Sequence, residues 1–495
     1  MGKLLEKLTE YGQSDFYPYH MPGHKRQPSE GFPKQITDLD ITEIEGFDNL
    51  HQAEGILLEA QQQVAKAYGA EESFFLVNGS TCGILSAVSA AVPFGGHLLI
   101  SRNCHKSVYH AAYLRQLRLS YICPEVNREF DICEAVTSAQ IEEMLDQNDS
   151  IQAVLIVSPT YEGRIADVKR IAEVVHQRGI PLIVDEAHGA HLGFAEGFAQ
   201  NSGRLGADLV INSVHKTLPA MTQTALLHCN GNLVNRDKLK KFLHIYQSSS
   251  PSYIMMASIE HAVQVAVENK EMFRILKERW MWLLEQLKDL QHIKVLAEAP
   301  EGKVHDIGKL VISTKGTGMS GRQLADVLRS RYHLEMEMAC ETYVLAMFTI
   351  GDVEEGYRRL ARALQEIDND LCSKNNAGFF GEAIDAGEEF GEKARADAGE
   401  TIDAGKGAEE IQSGIPFYQA WDLEKEDVDL NASKGRLAGD FINLYPPGTP
   451  IVVPGEIITE GVIGKIKCCL KAGLEVQGVY RREERAAAVV SCIKL

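Results

Sequence analysis

Between residues 52 and 230, short runs of consecutive apolar residues, each bounded by Gly, Pro or Asn, alternate with longer stretches of helical periodicity. Unbroken apolar runs suit strands buried on both faces, and their alternation with helices predicts βαβ units around a mainly parallel sheet. The predicted strands are Phe74–Val77, His97–Ser101, Ala153–Val157, Leu182–Asp185, Asp208–Asn212 and Ala225–His228. A helix is expected over Ile165–Arg178, stopping at Gly179. Residues 252–292 read as helices leading to a second α/β unit. That unit holds a strand at Lys309–Ser313, a helix at Gly321–Ser330 and a strand at Tyr343–Thr349.

Three segments fall outside this rhythm. Residues 1–50 read as irregular, punctuated by Pro18, Pro22, Pro28 and Pro33. Residues 375–412 are rich in Ala, Gly, Asp and Glu and are expected to be an acidic linker of high mobility. A compact C-terminal segment follows, in which YPPGTPIVVPGE at 445–456 predicts a tight turn entering an apolar strand. The expected boundaries are 1–51, 52–295, 296–374, 375–412 and 413–495.

Composition narrows the partners. A net charge of −19 over 495 residues argues against nucleic acid and suits a cationic small molecule. The ten cysteines are scattered without a CxxC pair, the pattern of reduced thiols. The N-terminus lacks an apolar signal segment and no apolar run approaches a membrane span, so a soluble, cytoplasmic protein is expected.

The chemistry is carried by segments that follow the predicted strands. Asn78-Gly79-Ser80-Thr81-Cys82-Gly83 joins a strand to an apolar helix, with Ser80 placed as its N-cap. Exposed N–H groups and the helix dipole make such a junction a phosphate site. Asp185 ends the strand of LIVDEAHGAH, where open α/β sheets place their ligands. A carboxylate there can pair with a protonated pyridine nitrogen. Ser213-Val214-His215-Lys216 ends the next strand, and a lysine ending a buried strand is unusual without a role. Desolvation lowers such a lysine's pKa and frees its amine for imine chemistry.

Together these pieces point to pyridoxal phosphate held on Lys216. His105, after the strand HLLIS, is placed to stack on the pyridine ring. Thr160, within Ser158-Pro159-Thr160-Tyr161-Glu162-Gly163, lies in a loop placed to contact ring substituents. Two other readings of DEAHGAH stay open: a nucleotide-hydrolysing box, which lacks its phosphate loop here, and a metal set of Asp185, His188 and His191.

NGST, NCHKS, PTYEG, VDEAHGAH and SVHKT, with HMPGHKR before them and YPPGTPIVVPGE after, resemble the short bacterial Orn/Lys/Arg decarboxylases. The resemblance covers about 15–370 and 413–490. It implies the aspartate-aminotransferase fold (PLP fold type I): a large seven-stranded, mainly parallel domain at 52–295, a small α/β domain at 296–374 and a C-terminal decarboxylase domain at 413–495. It also implies a homodimer with the active site at the interface and residues 1–51 near it. Lys216 would be the Schiff-base lysine, Asp185 the partner of the pyridine nitrogen and His105 the stacking residue. Ser80, Thr81, Thr160, Ala187, His188, Ser213 and His215 would complete the cofactor contacts, and Gln247–Ser250 would reach a neighbouring subunit's phosphate. Proton return to Cα is expected from Lys216 or His188. The substrate's distal cation is expected at Glu43, Glu45, Asp48 or Glu456, with lysine or arginine favoured over ornithine. The chain has no N-terminal wing domain, so the decamer tied to that domain is not expected. The alternative within the fold is an aminotransferase or a β-eliminating lyase.

Overall fold

The computed structural model describes residues 2–296, 304–372, 415–444, 449–481 and 488–494. The expected linker at 375–412 and the turn around Gly448 lie outside the described residues.

The N-terminal segment is irregular over 14–33, as its prolines imply, but not throughout. It forms α1 (Lys3–Gln13) and α2 (Lys34–Leu39). Leu4 and Leu8, one helical turn apart, are fully buried. The free N–H groups of Lys3 and Leu4 donate to the Glu260 carboxylate at 3.2 and 2.9 Å. That cap comes from more than 250 residues away, so no local pattern announces it.

The large domain continues through α3 (Ile56–Tyr68), β1 (Glu72–Leu76), α4 (Gly79–Ala91), β2 (His97–Ser101), α5 (Lys106–Arg115) and β3 (Arg118–Ile122). A short hairpin, β4 (Val126–Asn127) and β5 (Ile132–Cys133), leads to α6 (Ser138–Gln147) and β6 (Ala153–Val157). Next come β7 (Arg164–Ile165), α7 (Val168–His176), β8 (Leu182–Asp185), β9 (Leu209–Asn212), α8 (Val214–Thr217), β10 (Ala225–Cys229), α9 (Arg236–Tyr246), α10 (Tyr253–Glu268) and α11 (Lys270–Leu287). Seven strands form one sheet in the order β1-β10-β9-β8-β6-β2-β3. Only β10 runs against its neighbours, so β1, β2, β6, β8 and β9 all end at one edge.

The strands β2, β8 and β9 are buried at every position, as their unbroken apolar runs require. Helix α4 lies tight on the sheet. A Cβ at Gly83 would stand 2.6 Å from Leu76 Cδ1 and 3.1 Å from Ile211 Cγ2. The helix expected over Ile165–Arg178 forms, but over Val168–His176. Arg164 and Ile165 are extended and pair with a strand 140 residues downstream, and α7 starts only after Asp167 caps the Arg170 N–H at 3.1 Å.

The smaller α/β unit contains β11 (Lys294–Leu296), β12 (Val304–His305), β13 (Lys309–Ser313), α12 (Gly321–Tyr332), β14 (Met338–Ala339), β15 (Tyr343–Met347) and α13 (Glu354–Cys372). Its antiparallel sheet has the order β11-β13-β15-β14, while β12 crosses to pair with β7 of the large sheet's connections. The C-terminal unit runs through α14 (Phe417–Ala420), β16 (Lys425–Asp429), β17 (Ile442–Leu444), β18 (Thr449–Val452), α15 (Glu460–Lys471), β19 (Val476–Gln477), β20 (Val479–Arg481) and β21 (Ala488–Ile493). It has its own apolar core around Ile442, Ile458, Ile466 and Val490. Phe417, Phe441 and Val453 anchor it in the cluster that contains Tyr109 of α5.

Candidate active site

The segments singled out in the sequence converge where the parallel strands end. Asp185 is the last residue of β8 and is buried, with Oδ1 accepting the Ala187 N–H at 3.2 Å. Burial raises its carboxyl pKa, and the Lys216 charge opposes that rise. Lys216 does not end its strand. It sits one turn into α8, beyond β9, where its N–H bonds the Ser213 carbonyl at 3.2 Å. Its Nζ lies 3.1 Å from His188 Nε2. Burial lowers the ammonium pKa, while Asp185 and Glu337 pull it back up.

His188 stands between two lysines. Nδ1 lies 2.8 Å from Lys309 Nζ, and the Tyr161 ring meets the imidazole edge-on at 4.5 Å. Burial, then the Lys309 and Lys216 charges, hold its pKa well below the ordinary value, so the ring is neutral. His105 precedes α5 and caps it: its Nδ1 accepts the Ser107 N–H at 3.2 Å and lies 2.8 Å from the Ser107 hydroxyl. Burial, Lys216, Lys106 and His110 lower its pKa to about 4. With Nδ1 accepting, the proton of the neutral ring is on Nε2.

Ser80 is not the N-cap of α4. Asn78 holds that position without a side-chain cap, and Gly79 opens the helix at φ +72°. The first-turn N–H groups are therefore left for another acceptor. The Ser213 hydroxyl donates to Ser80 Oγ at 2.9 Å, bringing the first and third motifs together, and Thr81 is exposed beside them. His215 Nδ1 lies 2.8 Å from the Thr224 carbonyl, which fixes its proton on Nδ1 and leaves Nε2 as acceptor. Thr160 is buried, and its Oγ accepts the Arg164 N–H at 3.1 Å within its own loop.

A pyridoxal phosphate group fits this donor set. The uncapped turn of α4 with two hydroxyls suits a phosphate, the buried Asp185 suits a ring N–H, and Lys216 is a desolvated amine near both. The metal reading of DEAHGAH fails on geometry. His191 Nε2 pairs with Asp306 at 2.9 Å and His188 with two lysines, and no metal-holding cluster of His, Cys, Asp or Glu occurs among the described residues.

Comparison with known proteins decides the family. Residues 3–299 match the model of the Orn/Lys/Arg decarboxylase major domain, and 416–494 match that family's C-terminal domain. The chain belongs to the Orn/Lys/Arg decarboxylase family. It is thereby a carboxy-lyase. An arginine decarboxylase of Bacillus anthracis is 30% identical over 96% of this chain and 94% of its own length. The uncharacterized protein YaaO of Bacillus subtilis is 32% identical over 98% of both. In fold, the Francisella novicida lysine decarboxylase LdcF superposes over 100% of this chain and 81% of its own, with TM-score 0.82 at 16% identity. The constitutive lysine decarboxylase of E. coli gives 0.79 at 19% identity over 100% and 82%.

In this member of the family, two carboxylates expected to meet the substrate's far end are already engaged. Asp48 accepts the N–H groups of Asn49, Glu54, Gly55 and Leu57, at 2.7–3.2 Å, and closes the start of α3. Burial would raise its pKa, but those N–H groups outweigh it and lower the value. Glu456 Oε2 pairs with Arg102 at 2.9 Å and accepts the Val453 N–H at 2.9 Å, tying the C-terminal unit to the strand end after β2. Gln247 bonds the backbone of Phe75 and Val77, and Ser248 N–H donates to Asn78 of the same chain at 3.2 Å.

Lys309, Asp306 and Tyr161 were not foreseen as site residues. The one available signal is Gly163 of PTYEG. Its φ is +98°, and a Cβ there would stand 2.7 Å from Lys309 Cβ, so the glycine marks the passage of the Lys309 stem.

Proposed function

We propose that this family member decarboxylates arginine in preference to lysine or ornithine, with pyridoxal phosphate bound at the convergence of Lys216, Asp185, His105 and the α4 N-terminus. The observation that carries the site is the desolvated Lys216 amine, 3.1 Å from a neutral His188 and electrostatically coupled to buried Asp185. The preference for arginine rests on the relatives of about 30% identity over 91–96% of the chain, whose names are arginine decarboxylase, against 25% or less for those named for lysine.

In this reading Lys216 would hold the cofactor through its aldehyde, Asp185 would partner the ring nitrogen and His105 would lie against the ring. Ser80, Thr81, Ser213 and the free N–H groups of α4 hold its phosphate, with Thr160, Ala187, His188 and His215 around the ring. When bound, the group supplies an electron sink for the pair left on Cα as CO2 departs. Asp185 would keep a proton on the ring nitrogen, because a buried carboxylate is stabilised by a cation beside it. Lys216 reacts as a free amine, which its desolvation favours. His188 Nε2 and Lys216 Nζ, 3.1 Å apart at the strand ends, are the two groups that would return a proton to Cα.

We place the enzyme in the cytoplasm, where its ten free cysteines stay reduced. We also propose a homodimer, supported by Phe16, Tyr17, Tyr19 and Met21, which are 62–90% exposed in one stretch of the single chain. Incubating the protein and cofactor with each of the three amino acids while recording CO2 tests the assignment. Arginine is expected to be fastest. Amino transfer to a keto acid without CO2 would replace decarboxylation with the aminotransferase alternative.

A further inference from the structure

Lys309 opens β13 in the small sheet and is wholly buried. It reaches the strand ends of the large sheet, where Nζ stands 2.8 Å from His188 Nδ1, and His188 Nε2 stands 3.1 Å from Lys216 Nζ. An ammonium has no acceptor site, so a charged Lys309 can only donate to Nδ1. A neutral imidazole that accepts at Nδ1 carries its proton on Nε2. That N–H then faces Lys216 Nζ at 3.1 Å, and the burial that lowers the Lys216 pKa favours the free amine able to accept it. We infer that Lys309 is a positioning residue for decarboxylation: it locks His188 in the Nε2–H tautomer and so keeps a proton directed at Lys216 and the reacting carbon. The inference rests on the site reading above.

The groups around Lys309 favour this arrangement. Tyr161 and Glu162 approach from the loop after β6, with the Tyr161 ring 5.7 Å from Nζ. Asp306 and Glu337 approach from the small unit, Asp306 being already bound to His191 at 2.9 Å. His305 Nε2 lies 2.8 Å from the Lys309 carbonyl and holds the start of β13, and Lys216 opposes the ammonium only when it is itself protonated. Burial lowers the Lys309 pKa to about 8 against the pull of Asp306 and Glu337. Lys309 is therefore charged at pH 7 and loses its proton as pH rises through 8. A neutral amine donates or accepts, so the lock loosens above that pH.

Two measurements test this. The first is ring-15N NMR of histidine-labelled protein, loaded and cofactor-free, with His188 assigned by substitution. Protonated Nε2 and bare Nδ1 at pH 7 are expected, and a proton on Nδ1 would overturn the inference whatever the activity. The second is kinetic. Lys309→Met is expected to lose about 10–100-fold in kcat with little change in KM, the range for groups that orient another side chain. Lys309→Arg, a donor at every pH, should recover most of kcat and move the alkaline limb upward from about 8. The NMR measurement on the unsubstituted protein decides the inference if Lys309→Met does not fold. Unchanged kcat and an unchanged His188 tautomer in the Met variant would also overturn it. Activity retained in Lys216→Ala would sink the site reading alone and leave the tautomer result standing.

Discussion

Lys216 and Lys309 flank one imidazole, at 3.1 and 2.8 Å, yet they are held in opposite ways. Lys216 follows a parallel strand of the large sheet, is partly open, and lies near a buried carboxylate that, among the described residues, accepts only the Ala187 N–H. Lys309 starts an antiparallel strand of the small sheet and has no exposed surface. Its nearby carboxylate, Asp306, is already bound to His191. An open amine beside a free acid is arranged to react. A sealed ammonium beside an occupied one is arranged to hold its neighbour still.

Removing either lysine separates the two roles. Lys216→Ala is expected to lower CO2 release by about a thousandfold or more, because the group that carries the cofactor is gone. A smaller loss than that of Lys309→Met would reverse the assignment. The carboxylates divide in the same way. Glu456→Gln leaves Arg102 buried without its counter-charge and is expected to cost about 3 kcal/mol in denaturant unfolding, the scale for breaking a buried pair. A substrate-binding Glu456 would instead raise KM and leave stability unchanged.

The latch from Asp306 to His191 predicts a smaller effect with a defined pH window. Burial works against its ionisation, but His191 and Lys309 prevail and hold the Asp306 pKa at about 2, below the ordinary 3.8. A depressed carboxyl pKa contributes stability that is fully present above 3.8 and lost as pH falls through 2. Asp306→Asn should therefore cost about 1–2 kcal/mol at pH 7 and remove that part of the acid dependence, read by thermal unfolding from pH 7 to pH 2. The same acid dependence in the variant would assign it to other groups.

The contrast between the lysines also marks what a reader of the sequence can see. Asp185, Lys216 and His105 are legible because parallel strands end at a common edge, so a reactive residue just after an apolar run is placed by topology alone. The small shift of Lys216 into α8 leaves that logic intact. Lys309 is invisible by the same rule, since it begins a strand instead of ending one, and its partner lies 121 residues away. The pairing of Arg164–Ile165 with β12 and the capping of α1 by Glu260 escape local periodicity for the same reason. Asp48 and Glu456 looked available because a sequence shows carboxylates without the N–H groups and guanidinium that occupy them.

The most direct test is to reduce the cofactor-loaded protein with borohydride and map the modified lysine by peptide mass spectrometry. Lys216 is expected to carry the reduced cofactor, with Lys309 unmodified. Label on Lys309, or on neither lysine, would contradict the account.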